Sequence, residues 1–368
     1  MLKDDLEKRQ SELIEAMRFP LIVLVVFIHV LPEILVPIKM NGSEMNIYHI
    51  ISESVSHVIG RIAVPCFFLF SGYFFFHKSV KWNLDFYHSQ LQKRCRTLIA
   101  PYFLWNGLMI IAIYAKNSIF SLLSWEIKED GIFDIQPQSL YELFWKGPVN
   151  FPLWYLRDLI CMSLLAPLFY YLFRCLGKYG IFILIVLYLT TWEIHFPGLS
   201  MTAFMFFGLG AYLGIYKNNI LELCLKYKVM CGIGAFLSFC CAIYNNGYEY
   251  SEYFTRAFVL FGVITAINTM NWVIGHESWK KKLGNLSVTV FFIYAVHEIY
   301  IINWMKGLFG RIFVVETGDR LLISYLSIPA ITISICLALY FLLAKIAPRI
   351  LAFAVGGRVK IQHTGGGK

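Results

Sequence analysis

Long apolar runs, each close to the ~20 residues that cross a bilayer as a helix, alternate along this chain with short polar segments. They fall near residues 19–37, 59–77, 99–116, 153–173, 180–197, 200–216, 229–244, 255–274, 287–305 and 322–344. The pattern reads as all-α: a polytopic integral membrane protein with about ten transmembrane helices. Only Pro197, Gly198 and Ser200 separate the fifth run from the sixth, and such turn formers predict a tight helical hairpin. Residues 1–355 are therefore expected to form a single transmembrane domain. Residues 356–368, GGRVKIQHTGGGK, are expected to be a flexible tail without a role in the fold.

Charge gives these helices a direction, because Lys and Arg collect in cytoplasmic loops. One set of alternate loops holds Lys78, Lys81, Lys93, Arg94 and Arg96, then Arg174 and Lys178, then Lys217, Lys226 and Lys228, then Lys280, Lys281 and Lys282. The other set carries Glu44 and Glu53, then Glu126, Glu129, Asp130, Asp134 and Glu142, then Glu249 and Glu252. This bias predicts that both termini are cytoplasmic. The segment 117–150 mixes aromatic residues with acids, which suits either a loop covering an outer cavity or an ordinary interfacial anchor.

Composition agrees with the pattern: 58% of residues are hydrophobic, 15% are charged, and mean hydropathy is +0.62, outside the range of an ordinary soluble domain. The net charge of +9 does not point to nucleic acid, since the basic residues are scattered among loops and gather on no single face. None of the nine cysteines has C-x-x-C spacing, so they read as packing residues. The charged N-terminus is too long for a signal n-region, and the first helix is expected to remain in the mature protein.

Ionisable groups inside a membrane helix are costly and need a partner or a job. Arg18 and His29 stand eleven residues apart, about three turns and 16.5 Å along a helix, so both lie on one face. Glu33 follows one turn further on the same stripe. Imidazole titrates near neutrality and can take a proton from an attacking hydroxyl, with Glu33 orienting the ring. The competing reading makes Arg18 a headgroup anchor and gives His29 one interhelical hydrogen bond.

Several segments extend this beyond one helix. RFPLIVLVVFIH resembles the R-x(10)-H signature of the membrane-bound acyltransferase type 3 family, which includes bacterial glycan O-acyltransferases. RIAVPCFFLFSGYFFF is similar to that family's F-x-x-S-G-[FY] segment, here Phe68, Ser71, Gly72 and Tyr73, and KRCRTLIAPYFLW to its basic motif and proline, here Lys93, Arg94, Arg96 and Pro101. LWYLRDL and FFIYAVHEIYI also resemble family segments. The basic motif departs from the usual pair of arginines three apart. The resemblance implies transfer of an acyl group, acetyl above all, from cytoplasmic acyl-CoA to a hydroxyl of an extracytoplasmic or lipid-linked glycan. It also implies a place in a bacterial cytoplasmic membrane.

On that reading Arg18, Lys93, Arg94 and Arg96 hold the donor phosphates, although positive-inside topology alone accounts for some of these charges. Arg18, His29 and Glu33 form the catalytic stripe. Tyr294 and His297 are candidates for the acceptor or the thioester carbonyl, or else form an interhelical pair. Arg61 has no local acidic partner but Glu53 and is a candidate for an anionic acceptor. Arg157 is a further substrate-binding candidate, its bland alternative being a salt bridge to Asp158. Ser71–Gly72 and GLGAYLG at 208–214 read as close-packing notches. There is no H-E-x-x-H, and no metal is expected. A transporter on the same fold is the rival reading, since buried charges also mark transport paths.

Overall fold

The structure, a computed structural model, describes residues 3–31, 44–78, 82–123, 140–313 and 317–358. Among them every regular element is helical. In chain order these are α1 (Lys3–Ile28), α2 (Ile47–His77) and α3 (Leu84–Leu122), α4 (Phe151–Leu164 and Ala166–Leu176, bent by 57°), α5 (Lys178–Leu189) and α6 (Met201–Ile215). There follow α7 (Ile220–Lys226 and Lys228–Tyr244, bent by 75°), α8 (Ser251–Val273), α9 (Glu277–Ile312) and α10 (Gly318–Ile346), then the short α11 (Pro348–Ala354).

Among the described residues five helices, α2, α3, α8, α9 and α10, are long and apolar enough to cross a membrane, and seven qualify if each bent pair is one span. The chain is thus a multi-pass membrane protein. α5 and α6 are apolar but shorter. α1 is continuous from Lys3 and carries Glu12, Glu15 and Arg18 in its middle. On α3, α5, α7 and α10, Ile111, Phe182, Phe236 and Phe341 are all more than half exposed, as apolar side chains facing lipid are.

Polar segments between the apolar runs are more helical than the pattern suggests. α3 starts at Leu84, where Asn83 Oδ1 accepts from the Phe86 amide at 2.8 Å, and not near residue 99. The expected tight hairpin between α5 and α6 is absent. α5 stops at Leu189, well before Pro197, and Thr191 adopts a left-handed φ of 58°. Tertiary bonds hold the intervening segment: Glu193 accepts from Arg256 at 2.5 Å, and Asp158 accepts from the Ser200 amide at 3.3 Å. Such long-range partners leave no trace in local periodicity.

α2 and α6 cross at backbone contact. A Cβ on Gly72 would lie 2.1 Å from the Phe207 carbonyl oxygen, and one on Gly210 would lie 2.0 Å from that of Leu69. Both glycine segments are close-packing notches. Gln10, 4% exposed, ties α1 to this pair: its Nε2 donates to the Tyr73 hydroxyl at 2.9 Å, and its Oε1 accepts from the amides of Ile220 and Leu221. It thereby satisfies amides that the start of α7 leaves unpaired.

Candidate active site

α1 is amphipathic in an unusual sense. Leu13, Ile14, Met17, Leu21 and Val26 are buried in the core, while Arg18, Ile22, Val25 and His29 line a cavity of about 1170 Å3. Its other walls come from α2, the start of α3, the Phe151–Leu159 part of α4, and α9. One helix face therefore connects a cationic end, at Arg18, with an imidazole end, at His29.

At the imidazole end, His29 Nδ1 lies 3.2 Å from Glu298 Oε1. Its ring is 5.2 Å from that of His297 and meets the edge of Phe151 at 5.9 Å. Lys306 Nζ donates to the His29 carbonyl oxygen at 2.6 Å and also lines the cavity. His297 is fully buried; its Nδ1 lies 2.9 Å from the Ile293 carbonyl oxygen, and its Nε2 is buried without a hydrogen-bond partner among the described residues. α9 breaks directly after this pair, at Ile299 (ψ 77°) and Tyr300 (φ 61°). A left-handed tyrosine costs roughly 1–2 kcal/mol, a strain that collects at functional sites.

Among the described residues the carboxylate beside His29 is Glu298. Glu33, the expected orienting group, lies outside the described residues. Glu298 projects from α9, so it is distant in sequence and invisible to a stripe drawn on α1. A carboxylate at Nδ1 favours the tautomer with its proton there, leaving Nε2 with a lone pair. His29, His297 and Glu298 also offer three ligand atoms within 4.8 Å of one another, a set chemically able to hold a metal ion.

At the cationic end, Arg18 and Arg94 line the cavity together with Arg358. Arg94 Nη2 donates to the Ser71 carbonyl oxygen at 3.3 Å, with its guanidinium 5.6 Å over the Phe75 ring. Lys93 and Arg96, from the same motif, are exposed and do not line the cavity. Positions 93, 94 and 96 of a helix point in different directions, and of the three only Arg94 lines the cavity. Tyr155 also lines the cavity and packs on Phe68 at 4.7 Å.

The remaining candidates are more engaged than the sequence suggests. Arg61 lines the cavity but is held bidentately by Glu252, at 2.5 and 2.8 Å. Glu252 also pairs with Arg256 at 2.9 Å, so Arg61 is no open anion site. Arg157 does not line the cavity. It is bound to Asp158 at 3.0 Å and donates to the carbonyl oxygens of Trp145 and Lys146, which makes it a structural pair. Tyr294 lines the cavity, yet its hydroxyl donates to the Pro152 carbonyl oxygen at 2.6 Å. His297 sits behind His29, outside the lining. Sequence reading passed over Lys306 and Arg358, although a charge in or just past an apolar run is the signal that identifies such residues.

Comparison with known proteins assigns a class to this arrangement. Residues 12–345 match the family model described as an acyltransferase domain, so the chain belongs to that acyltransferase family. It is also 28% identical over 314 residues, 81% of this chain and 80% of the relative, to the succinoglycan biosynthesis protein ExoH of Rhizobium meliloti (strain 1021). No solved structure matches the chain.

Proposed function

We propose that this chain transfers an acyl group, acetyl above all, from cytoplasmic acyl-CoA to a hydroxyl of an extracytoplasmic or lipid-linked glycan. The observation that carries the reading is the single cavity with guanidinium groups at one end and the His29–Glu298 pair at the other. Phosphate-bearing donors suit the first end, and a polarised imidazole suits the second. The relative's part in succinoglycan biosynthesis favours a polysaccharide acceptor. Both termini lie in the cytoplasm in this proposal, with ten crossings and the Arg18 end of the cavity facing inward.

The step is a direct transfer. The acceptor hydroxyl oxygen attacks the thioester carbonyl carbon as its proton passes to His29 Nε2; the carbon–oxygen bond forms and the carbon–sulfur bond breaks. The departing CoA thiolate recovers that proton from His29. Glu298 holds the ring and offsets the imidazolium that exists between the two transfers. The test is thiol release by purified protein across a panel of acyl-CoAs, with mass analysis of surface glycans in cells with and without the protein. Free thiol and an acylated glycan are expected. Substrate movement in liposomes without acyl-CoA, and no thiol, would instead make the chain a carrier.

A further inference from the structure

The segment after α11 is docked and not loose as far as it is described. Trp105 Nε1 donates to the Ala354 carbonyl oxygen at 2.9 Å, and Val355 is fully buried. Gly356 and Gly357 then both take left-handed φ values, 64° and 77°, which glycine alone adopts at no cost. At Gly356 a Cβ would also meet the Thr97 Cα at 2.9 Å. This diglycine turn sends the chain back onto α3 at Thr97. There Arg358 Nη2 donates to the Thr97 carbonyl oxygen at 2.9 Å, and the guanidinium stacks 4.2 Å over Phe291.

Arg358 consequently enters the cavity beside Arg18 and Arg94. Among the described residues, no carboxylate lies within ion-pair distance of any of the three. Burial above all, and then the neighbouring Arg94 and Arg18, lower Arg358 to about 10, with Tyr155 acting in the opposite sense. It is still charged at neutral pH. Glu15 also lines the cavity, but three guanidinium groups against this one carboxylate leave an excess of positive charge that suits an anion. Their forked donors suit phosphate oxygens.

We propose that Arg358 completes, with Arg18 and Arg94, a binding site for the phosphate groups of the acyl donor. This rests on the acyl-CoA reading above. The same chemistry could be met by an anionic lipid headgroup, and the experiment separates the two sources.

Wild type, Arg358→Ala and Arg358→Lys are compared in nanodiscs of neutral phosphatidylcholine by thiol release from acetyl-CoA and from acetyl-pantetheine, which carries the thioester without the phosphates. CoA binding is measured by calorimetry. Arg358→Ala should raise the KM for acetyl-CoA by about 10- to 100-fold, the loss of one charged hydrogen-bonding group, with a much smaller change in kcat. Arg358→Lys should fall between. Acetyl-pantetheine should be used equally by all three. An unchanged KM for acetyl-CoA overturns the inference, as does an equal loss with acetyl-pantetheine, which marks a structural role. Stabilisation by phosphatidylglycerol that depends on Arg358, with CoA binding independent of it, assigns the site to lipid and overturns the donor role. Wild type that releases no thiol from any acyl-CoA overturns both readings, whereas wild-type turnover with an indifferent Arg358→Ala overturns only this one.

Discussion

Arg61, joined to Arg256 through Glu252, borders the same cavity as Arg18, Arg94 and Arg358, and the two groups of arginines differ in one respect. Arg61 and Arg256 are neutralised by Glu252 and Glu193, in contacts of 2.5 to 2.9 Å. Arg18, Arg94 and Arg358 gather no carboxylate within ion-pair distance among the described residues. A buried charge that is paired serves the fold, and breaking the pair is costly because the survivor is left uncompensated. A set of like charges left unpaired in a cavity costs stability unless a ligand of opposite charge arrives. The first group belongs to architecture; the second, in the function proposed above, belongs to donor recognition.

Substitutions should break that contrast in a definite order. The double variant Arg18→Ala with Arg94→Ala should raise the KM for acetyl-CoA by roughly 100-fold or more, two charged contacts being lost together, with its thermal stability held or improved. A fall in stability and an unchanged KM would reverse the assignment. Glu298→Gln should lower kcat by about tenfold or more by loosening His29 and removing the charge that offsets imidazolium, while CoA binding stays as in wild type. Glu252→Gln should do the opposite: destabilise by about 1–3 kcal/mol by leaving Arg61 without its carboxylate, while Arg256 keeps Glu193, visible as a lower Tm, without changing the donor KM. The smallest effect is expected from chelators. Exhaustive dialysis against EDTA should leave turnover intact if His29 is the base proposed above; loss of activity restored by a divalent ion would make His29, His297 and Glu298 ligands instead.

What could be read from the chain alone follows from how local each signal is. The apolar runs depend on neighbouring residues only, and the helices appear along them. The Arg18–His29 face depends on helical periodicity, and both side chains line one cavity. Partners from other helices were hidden. Glu298 reaches His29 from α9, Glu252 reaches Arg61 from α8, and Glu193 holds Arg256 across the segment where a tight hairpin was expected. Arg358 was hidden for a different reason. Paired glycines in a polar terminus usually signal a flexible chain, and here they form the turn that returns it to the cavity.

The central claim is that one helix face carries donor recognition at Arg18 and proton transfer at His29. It is tested most directly by measuring CoA binding and acetyl-CoA-dependent acyl transfer side by side in purified wild type and His29→Ala. The account predicts equal CoA affinity and a transfer rate lower by about 10²- to 10⁴-fold in the variant. Transfer at the wild-type rate by His29→Ala would contradict it.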